Sequence, residues 1–599
     1  EENSPSDVQV ALDPELLGKV FENLLGTYNP ETSETARKDS GSFYTPRTIV
    51  NFMVNESIKN YLKNTVKGIT ENDLNFLFDN SADIEYATIN SSVKSDIITA
   101  LKNIKVFDPA CGSGAFPVGI LQELVSLIKK LDESYNTNQK LYELKLHLIE
   151  NCIYGSDIQT IAVQICKLRF FITLICEQEK SNDSDDNYGF NPLPNLETKF
   201  VAANSLIGLK SEQTNAMGMQ NEKLSKLKKE LLDIRTKHFN ASTAQEKKTY
   251  REQDKQKRNE IISFLEKQVR SKNEKLIETL EIENRSLKEQ IKNLPVVMVD
   301  AQEEQDLFDS SPKTLFQKDK NETQRKALQK QLNQNLKTIE YENSKKYSDE
   351  DSAKPLEELV SWNPYDQNAV SPFFDAEWMF GVKDGFDIVI GNPPYISTKG
   401  VSAEAKKAYE EEFGFSDDTY NLFTFKGLQL TKKNGTLNYI IPKTFWTTQT
   451  KRNMRDLILG RNIKYIFDTA NPFDAVMVDT CIIQIENSAY NKENKIAFLD
   501  GTKDLKEPER FEPIKQDVYL NTQNCVIFKP TERNLKIWEL YGEKVKDLYN
   551  TWWEKIETSK KISQNEAELK RYRASLKPGD VALLGCLTEG GQGLATANN

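Results

Sequence analysis

The sequence predicts an α/β, Rossmann-like chain: a seven-stranded sheet, mostly parallel, with an N-terminal helical segment ahead of it and a long helical, coiled-coil insertion inside it. Three observations carry this expectation. Ile104 to Gly114 (IKVFDPACGSG) reads as a strand and a tight glycine turn, followed by an apolar helix from Ala115 to Ile128. That order cradles nucleotide-type ligands at the carboxyl edge of a parallel sheet. Phe386 to Tyr395 (FDIVIGNPPY) reads as a buried strand stopped at Asn392 by two prolines. Between them, from Ser211 to about Glu350, the composition shifts to Lys, Glu, Gln and Asn. There Leu224, Leu227, Leu231 and Ile234, and again Ile262, Leu265 and Val269, recur three or four residues apart, as in helical hairpins or coiled coils.

Taken in order, the remaining elements fit this frame. Asp13 opens a helix with Leu16, Leu17, Val20, Phe21 and Leu24 on one face, and a polar loop through Thr32 to Asp39 leads to GSFYTPRTIVNFMV. Thr45 and Pro46 there supply a cap and a first-turn proline for a second helix burying Ile49, Val50 and Met53. After the glycine turn, a helix from Gln139 to Asn151 precedes a strand ending at Asp157, and Lys199 to Ala203 forms a third strand ending at Asn204. Between Pro295 and Lys320 the helical pattern fails, which reads as a loop. Beyond FDIVIGNPPY, strands are expected at Leu437–Ile441, Ile463–Phe467 and, last, Cys481–Ile485, with a helix from about Arg452 to Leu459. The connection through Pro472, Phe473 and Asp474 is too short for a helical crossover, so the last two strands should pair antiparallel. Past Asp500 the pattern becomes irregular, apart from a helix near Asn534 to Lys560.

Composition narrows the function. The chain has 599 residues, 38% hydrophobic and 28% charged, enough for two or three domains with real cores. No apolar run approaches the roughly 18 residues of a membrane span, so a cytoplasmic protein is expected. Seven cysteines without a CxxC pair indicate reduced thiols rather than a disulfide framework or zinc site. With only His147 and His238, histidine-activated nucleophiles and His-rich metal sites are disfavoured, and no metal is expected. The net charge of −11 does not decide for or against a nucleic-acid partner, because one basic face outweighs the sum.

The strand ends carry the candidate chemistry. Gly112 and Gly114 permit close backbone approach, Asp108 offers a carboxylate for an ammonium group, and Asp157 stands where ribose hydroxyls are gripped. Asn204 is placed to meet an adenine edge. At Asn392 the prolines leave carbonyls unpaired, the side chain adds an amide oxygen and Tyr395 adds an aromatic face. Together they suit a planar group with an exocyclic amine. Asn-Pro-Pro alone equally serves as an ordinary turn before a core tyrosine; its companions elsewhere in the chain weigh for a site.

GSFYTPR, DPACGSG and GNPPYI, in that order, resemble the gamma-type amino-methylating DNA adenine methyltransferases. The likeness is strongest to the Eco57I-like methyltransferase part of type IIG restriction-modification enzymes, and it covers about residues 12–210 and 355–500. It implies a class I fold using S-adenosylmethionine. Tyr44, Thr45 and Pro46 would face the methionine end of the cofactor, Asp108, Ala110, Gly112 and Gly114 would form its cradle, Asp157 would hold the ribose and Asn204 would lie by the adenine. Relatives often carry aspartate where this chain has Asn204. Asn392, Pro393, Pro394 and Tyr395 would act on a flipped adenine of double-stranded DNA, with Phe473 stacking on its other face. The implied activity is site-specific N6-adenine methylation in a restriction system. Alternatives are a protein glutamine methyltransferase, the methyltransferase half of an endonuclease whose nuclease lies elsewhere, or a non-catalytic scaffold.

The expected organisation is a helical segment over 1–100, cofactor half over 101–210, insertion over 211–354, catalytic half over 355–500 and, over 501–599, a linker and the start of a recognition region. The start at Glu1 and the glycine-rich end EGGQGLATANN suggest a piece of a longer protein, with a nuclease or specificity domain or subunit outside it.

Overall fold

The computed structural model describes residues 45–78, 89–178, 187–209, 222–296, 298–302, 315–319, 321–347, 359, 362–473, 478–548, 550 and 562–577. The helix at Asp13, the loop over Thr32 to Asp39, Tyr44, Asp474 and the glycine-rich end lie outside them. The chain divides into two compact units, Glu1–Gly208 with Asp366–Asn599, and Leu209–Tyr365.

The first unit is built on one mixed sheet. Its strands are β1 (Val106–Asp108), β2 (Ile153–Asp157), β3 (Phe200–Ala202), β6 (Phe386–Gly391), β7 (Thr431–Pro442), β8 (Arg461–Ala470), β9 (Thr480–Ala489), β10 (Lys495–Asp500), β11 (Glu509–Arg510) and β12 (Ile514–Lys515); β4 and β5 belong to the second unit. The order across the sheet is β11-β10-β8-β9-β7-β6-β1-β2-β3, with β12 also pairing β10. β3, β2, β1, β6 and β7 run parallel, and β9 lies antiparallel between β7 and β8. The short connection before β9 therefore does force the antiparallel pairing expected from its length. The count of seven strands needs correction: β10 adds on the outer side of β8 in parallel, Asp468 facing Asp500 in register, and β11 and β12 pair with it antiparallel. β9 is not the last strand.

Two helices position the loops at the carboxyl edge. Helix α1 (Arg47–Thr65) buries Ile49, Val50, Met53, Val54, Ile58 and Leu62. It is pinned to the sheet by the fully buried Asn438 of β7, whose amide donates to Met53 O (3.0 Å) and Ser57 Oγ (2.9 Å). A buried amide with partners is neutral or better, whereas a stranded one costs about 1–3 kcal/mol, so this contact fixes where Thr45 falls. Helix α2 (Ala115–Leu131) starts at Gly114, whose φ of +89° is left-handed and whose Cβ would lie 2.6 Å from Cys166 Sγ. Only glycine serves there. Beneath these loops Phe107 of β1 stacks between Phe374 (4.9 Å, 11°) and Phe386 (4.6 Å, 17°), a dense apolar floor for the strand ends. Helix α3 (Thr160–Ile175) follows β2.

The second unit consists of helices α4 (Glu222–Phe239), α5 (Ala244–Asn293, 50 residues) and α6 (Glu322–Tyr347). Leu224, Leu227, Leu231, Ile262 and Leu265 are buried as their spacing predicts. Thr243 and Glu246 form a reciprocal capping box at the start of α5. The stretch read as a loop instead contains an antiparallel pair, β4 (Met298–Gln302) and β5 (Leu315–Asp319). Asp254 is fully buried between Arg235 (2.9 Å) and Arg258 (2.6 Å), and both guanidinium groups lie over the Trp362 ring. Helix α7 (Thr419–Leu430), back in the first unit, packs against β7, and helix α8 (Arg452–Leu459) against β8. The late helix, α9, runs Glu532–Leu548, as expected over the described residues; 549 and 551–560, where the expected helix would continue, lie outside them.

Candidate active site

The carboxyl ends of β1, β2 and β6 lie side by side, which brings DPACGSG, Asp157 and NPPY to one edge of the sheet. Asp108 is 2% exposed and accepts the Ala110 amide at 3.0 Å. A Cβ on Gly391 would lie 2.6 Å from Asp108 Oδ1, so the glycine ahead of Asn392 is what lets β1 and β6 deliver their end groups to the same place. The two sequence motifs meet at that contact.

The glycine turn is tied down on three sides. Gly112 N–H donates to Asp157 Oδ2 (2.9 Å), Gln159 N–H donates to Asp157 Oδ1 (2.8 Å) and Cys111 N–H donates to Ser156 O (3.0 Å). Burial pushes the Asp157 carboxyl above the usual aspartate range, and the backbone N–H groups offset only part of that shift. Ser205 Oγ donates to Pro109 O (2.7 Å), and buried Arg169 donates to Ser113 O (3.0 Å). Asn204 turns its Oδ1 back to the Leu206 amide (3.2 Å), an Asx turn that occupies one of its acceptor positions. Ile158, directly after Asp157, is 58% exposed on this edge. Ser205, Arg169 and Ile158 were not singled out from sequence; the signal available was an apolar residue immediately beyond the acid.

At the other end, Asn392 Nδ2 donates to Thr45 Oγ1 at 3.1 Å, and Tyr395 OH lies 2.6 Å from Asn392 Oδ1 and 3.0 Å from the Ile440 carbonyl. Thr45, assigned above to the cofactor side, thus touches the NPPY asparagine directly and is itself buried; it does not cap α1 as expected, because Pro46 holds the capping position rather than the first turn and no side chain makes the cap bond. Pro393 is buried and Pro394 half-buried. Burial drives the Tyr395 phenol well above its ordinary pKa, so it is a neutral hydroxyl with one proton to give. Thr419 pins the loop that follows, bonding Pro394 O with its hydroxyl and accepting the Ile396 amide at 2.9 Å. Asp418 accepts Thr398 N–H (2.9 Å) and pairs with Lys451 (2.7 Å). Neither Thr419 nor Asp418 stood out in the sequence, because their contacts link segments some 20 residues apart.

Phe473 is 7% exposed, its ring centroid 6.4 Å from that of Tyr395 at an interplanar angle of 67°. The two rings meet edge to face rather than as parallel walls. Among the described residues no group of three or more His, Cys, Asp or Glu side chains could hold a metal ion, and no helix is long and apolar enough to cross a membrane.

The Eco57I restriction-modification methylase family matches residues 151–475, more than half of the chain. The chain belongs to that family. Among curated relatives of this methylase, the putative type II restriction enzyme and methyltransferase of Methanocaldococcus jannaschii is 26% identical over 546 residues, 88% of this chain and 42% of the relative. The type II restriction enzyme and methyltransferase Eco57I of Escherichia coli is 29% identical over 124 residues, 19% of this chain and 12% of the relative. The chain thus spans less than half the length of these relatives. Among solved structures, the type IIL restriction-modification enzyme MmeI in complex with DNA aligns over 84% of this chain and 43% of that one, with 10% identity and a TM-score of 0.38.

Proposed function

We propose that this methylase transfers the methyl group of S-adenosylmethionine to N6 of an adenine flipped out of duplex DNA, as the modification half of a restriction-modification enzyme. The observation that carries the reading is the close approach of Asp108 and Gly391 together with the Thr45–Asn392–Tyr395 chain, which brings the DPACGSG loop beside the NPPY turn and so supports a cofactor and an amine meeting there. The strand order, with β9 antiparallel between β7 and β8, supports a class I methyltransferase fold.

The donor set fits the cofactor. Asp108 offers an anion to an ammonium group, Asp157 carboxylate oxygens to a ribose diol, Asn204 an amide and Ile158 an exposed apolar face to an adenine; Gly112 and Gly114, both left-handed, keep the intervening loop free of side chains. When bound, S-adenosylmethionine supplies an electrophilic methyl on a sulfonium. What the chain must add is an acceptor pair for the amine. The adenine N6 lone pair is delocalised into the ring, and hydrogen bonds from both N6 hydrogens to Asn392 Oδ1 and the Pro393 carbonyl favour the pyramidal geometry that frees it. Thr45 holds the Asn392 amide so that Oδ1 faces the base. The Tyr395 hydroxyl beside Oδ1 has a second acceptor in Ile440 O, so it can yield Oδ1 to the amine without being stranded.

N6 takes the methyl as the sulfur–methyl bond breaks, and the methylated nitrogen, cationic and therefore acidic, sheds its surplus proton to water past the Asn392 and Pro393 oxygens. No general base is called for before the transfer, and position in the pocket supplies much of the remainder. Flipping costs a few kcal/mol, offset in part by stacking worth roughly 1–3 kcal/mol per aromatic contact on Tyr395 and Phe473. The test is methyl transfer from labelled S-adenosylmethionine to unmethylated duplex DNA and, in parallel, to glutamine-containing peptides. Label on N6-methyladenine in DNA is the expected result; label on peptide alone would replace DNA by protein as the substrate.

A further inference from the structure

The aim of Phe473 is set from below. Ala470, three residues before it, has φ +50°, a left-handed conformation that a non-glycine residue holds only when its surroundings impose it. Both backbone groups of Ala470 are held by side chains: its N–H donates to Asp468 Oδ1 (3.1 Å), and its carbonyl accepts from Thr480 Oγ1 (3.2 Å). Asn471 Oδ1 then accepts the Phe473 amide (3.2 Å), closing an Asx turn that lays the ring against Tyr395. Asp468, with a side chain only 3% exposed, is therefore the first link in this turn. A buried carboxylate needs compensation, and it receives two ammonium groups, Lys443 at 3.2 Å and Lys529 at 3.3 Å.

Lys529 also pairs with Asp500, and Gly501 N–H donates to the Asp468 carbonyl at 2.8 Å. Asp500, Gly501 and Lys529 all lie beyond residue 475, where the family match ends, and Asp500 closes β10, the strand added outside β8. We infer that Asp468, clamped by Lys443 and by Lys529 from this added segment, is a positioning residue that holds Phe473 over the base site. This inference rests on the proposed stacking role of Phe473. It gives β10 and the stretch to Lys529 a purpose in the reaction: the segment braces the aromatic side of the pocket against the entry of DNA.

The test is a double-mutant cycle in the full chain. Asp468→Ala should lower kcat/KM for methyl transfer to unmethylated duplex DNA by about tenfold or more, yet by no more than about twofold in a Phe473→Ala background, because residues acting through one another are non-additive. Equal losses in both backgrounds would overturn the inference. Lys529→Met, at a side chain a quarter exposed, gives the same comparison if the alanine variant does not fold. A readout without DNA separates this inference from the proposed function: with Phe473→Trp in place, the introduced indole should be shielded from acrylamide, and Asp468→Ala or Lys529→Met should expose it. Unchanged shielding would sink the brace, whereas absence of methyl transfer by the wild-type chain, with shielding lost on substitution, would sink only the function.

Discussion

Thr45 Oγ1 accepts a hydrogen bond from Asn392 Nδ2 across 3.1 Å and 347 residues of sequence, joining the loop ahead of α1 to the NPPY turn. An asparagine amide has two orientations that differ by exchange of O and N, and only one presents an acceptor to an amine. Here Nδ2 points to Thr45 and Oδ1 to the Tyr395 hydroxyl, the orientation that presents the acceptor on the Tyr395 side.

Thr45→Val keeps the shape and removes the acceptor, and a hydrogen bond of this kind contributes about 0.5–1.5 kcal/mol. Turnover should fall several-fold to about tenfold while the calorimetric affinity for S-adenosylmethionine changes little. Asn392→Ala should abolish turnover, again with cofactor binding nearly intact. Loss of cofactor affinity in step with turnover would return Thr45 to the cofactor side, and in the Asn392 variant would remove Asn392 from the amine.

Asp157 supports a second prediction, with a pH signature. A carboxylate bonded to ribose hydroxyls contributes on the order of 1.5–3 kcal/mol, so Asp157→Ala should weaken S-adenosylmethionine binding by roughly ten- to a hundredfold. Because burial raises its pKa, the carboxyl takes up a proton at a higher pH than an ordinary aspartate, and the protonated form has one acceptor fewer. Affinity should therefore decline with acidification from a pH above the usual aspartate value of about 3.9. The linkage with folding has the opposite sign. A folded-state pKa above the unfolded one means that this group's stabilising contribution is full below the unfolded value and is lost as pH rises through the folded one. Calorimetric titrations across that range check the first statement and thermal melts the second; an affinity independent of pH in the wild type would refute the assignment.

The insertion gives a third prediction. Burial alone would raise the Asp254 carboxyl, but Arg235 and Arg258 outweigh it and its pKa is lowered. Its stabilising contribution is therefore present above the ordinary aspartate value and lost as pH falls through the lowered one. Asp254→Ala leaves two buried guanidinium groups uncompensated, which costs about 3–5 kcal/mol. Hydrogen exchange should show protection collapsing in α4 and α5 while β1, β2 and β6 keep theirs. Undiminished protection in α4 would contradict the prediction.

Much of this was legible in sequence because prolines and glycines punctuate it. Gly112, Gly114 and the two prolines after Asn392 each force a local conformation, so the loops they make could be located and their end groups named. β11 and β12 are two residues long, with no periodicity to detect, whereas KIAFLD of β10 is as long as β6 and alternates buried Ile496 and Phe498, a strand signal that the count of seven left out. β4 and β5 were legible in part: PVVMVD carries a run of four apolar residues, three of them valine, at the start of β4, and Leu315 and Phe316 open β5, but the polar stretch between them reads as a loop. The contacts of Thr45, Thr419 and Asp468 are long-range hydrogen bonds between single side chains, and such bonds leave no local pattern. Only the fold brings them together.

Phe473 supplies the last prediction. It stands beside Pro472, where an exposed aromatic would call for a partner, and the structure gives it one: it is 93% buried, from the 7% exposure, and it meets Tyr395 edge to face. A base stacked between two faces needs those faces nearly parallel, so the 67° between the rings requires the Phe473 ring to turn about its side-chain bonds when adenine enters, on the backbone that Asp468 and Asn471 hold. The ring then exchanges one aromatic partner for another, which keeps it in contact in both states. On this account Phe473→Ala has two effects. It loses roughly 1–3 kcal/mol of base stabilisation, and it loses folding stability up to the 3–5 kcal/mol typical of a buried phenylalanine. Phe473→Trp should retain most of the base stabilisation. Fluorescence of 2-aminopurine at the target position reports flipping, and thermal melting reports the fold. Wild-type flipping by the alanine variant, with a sharply lower Tm, would leave Phe473 as a core residue and remove it from the site.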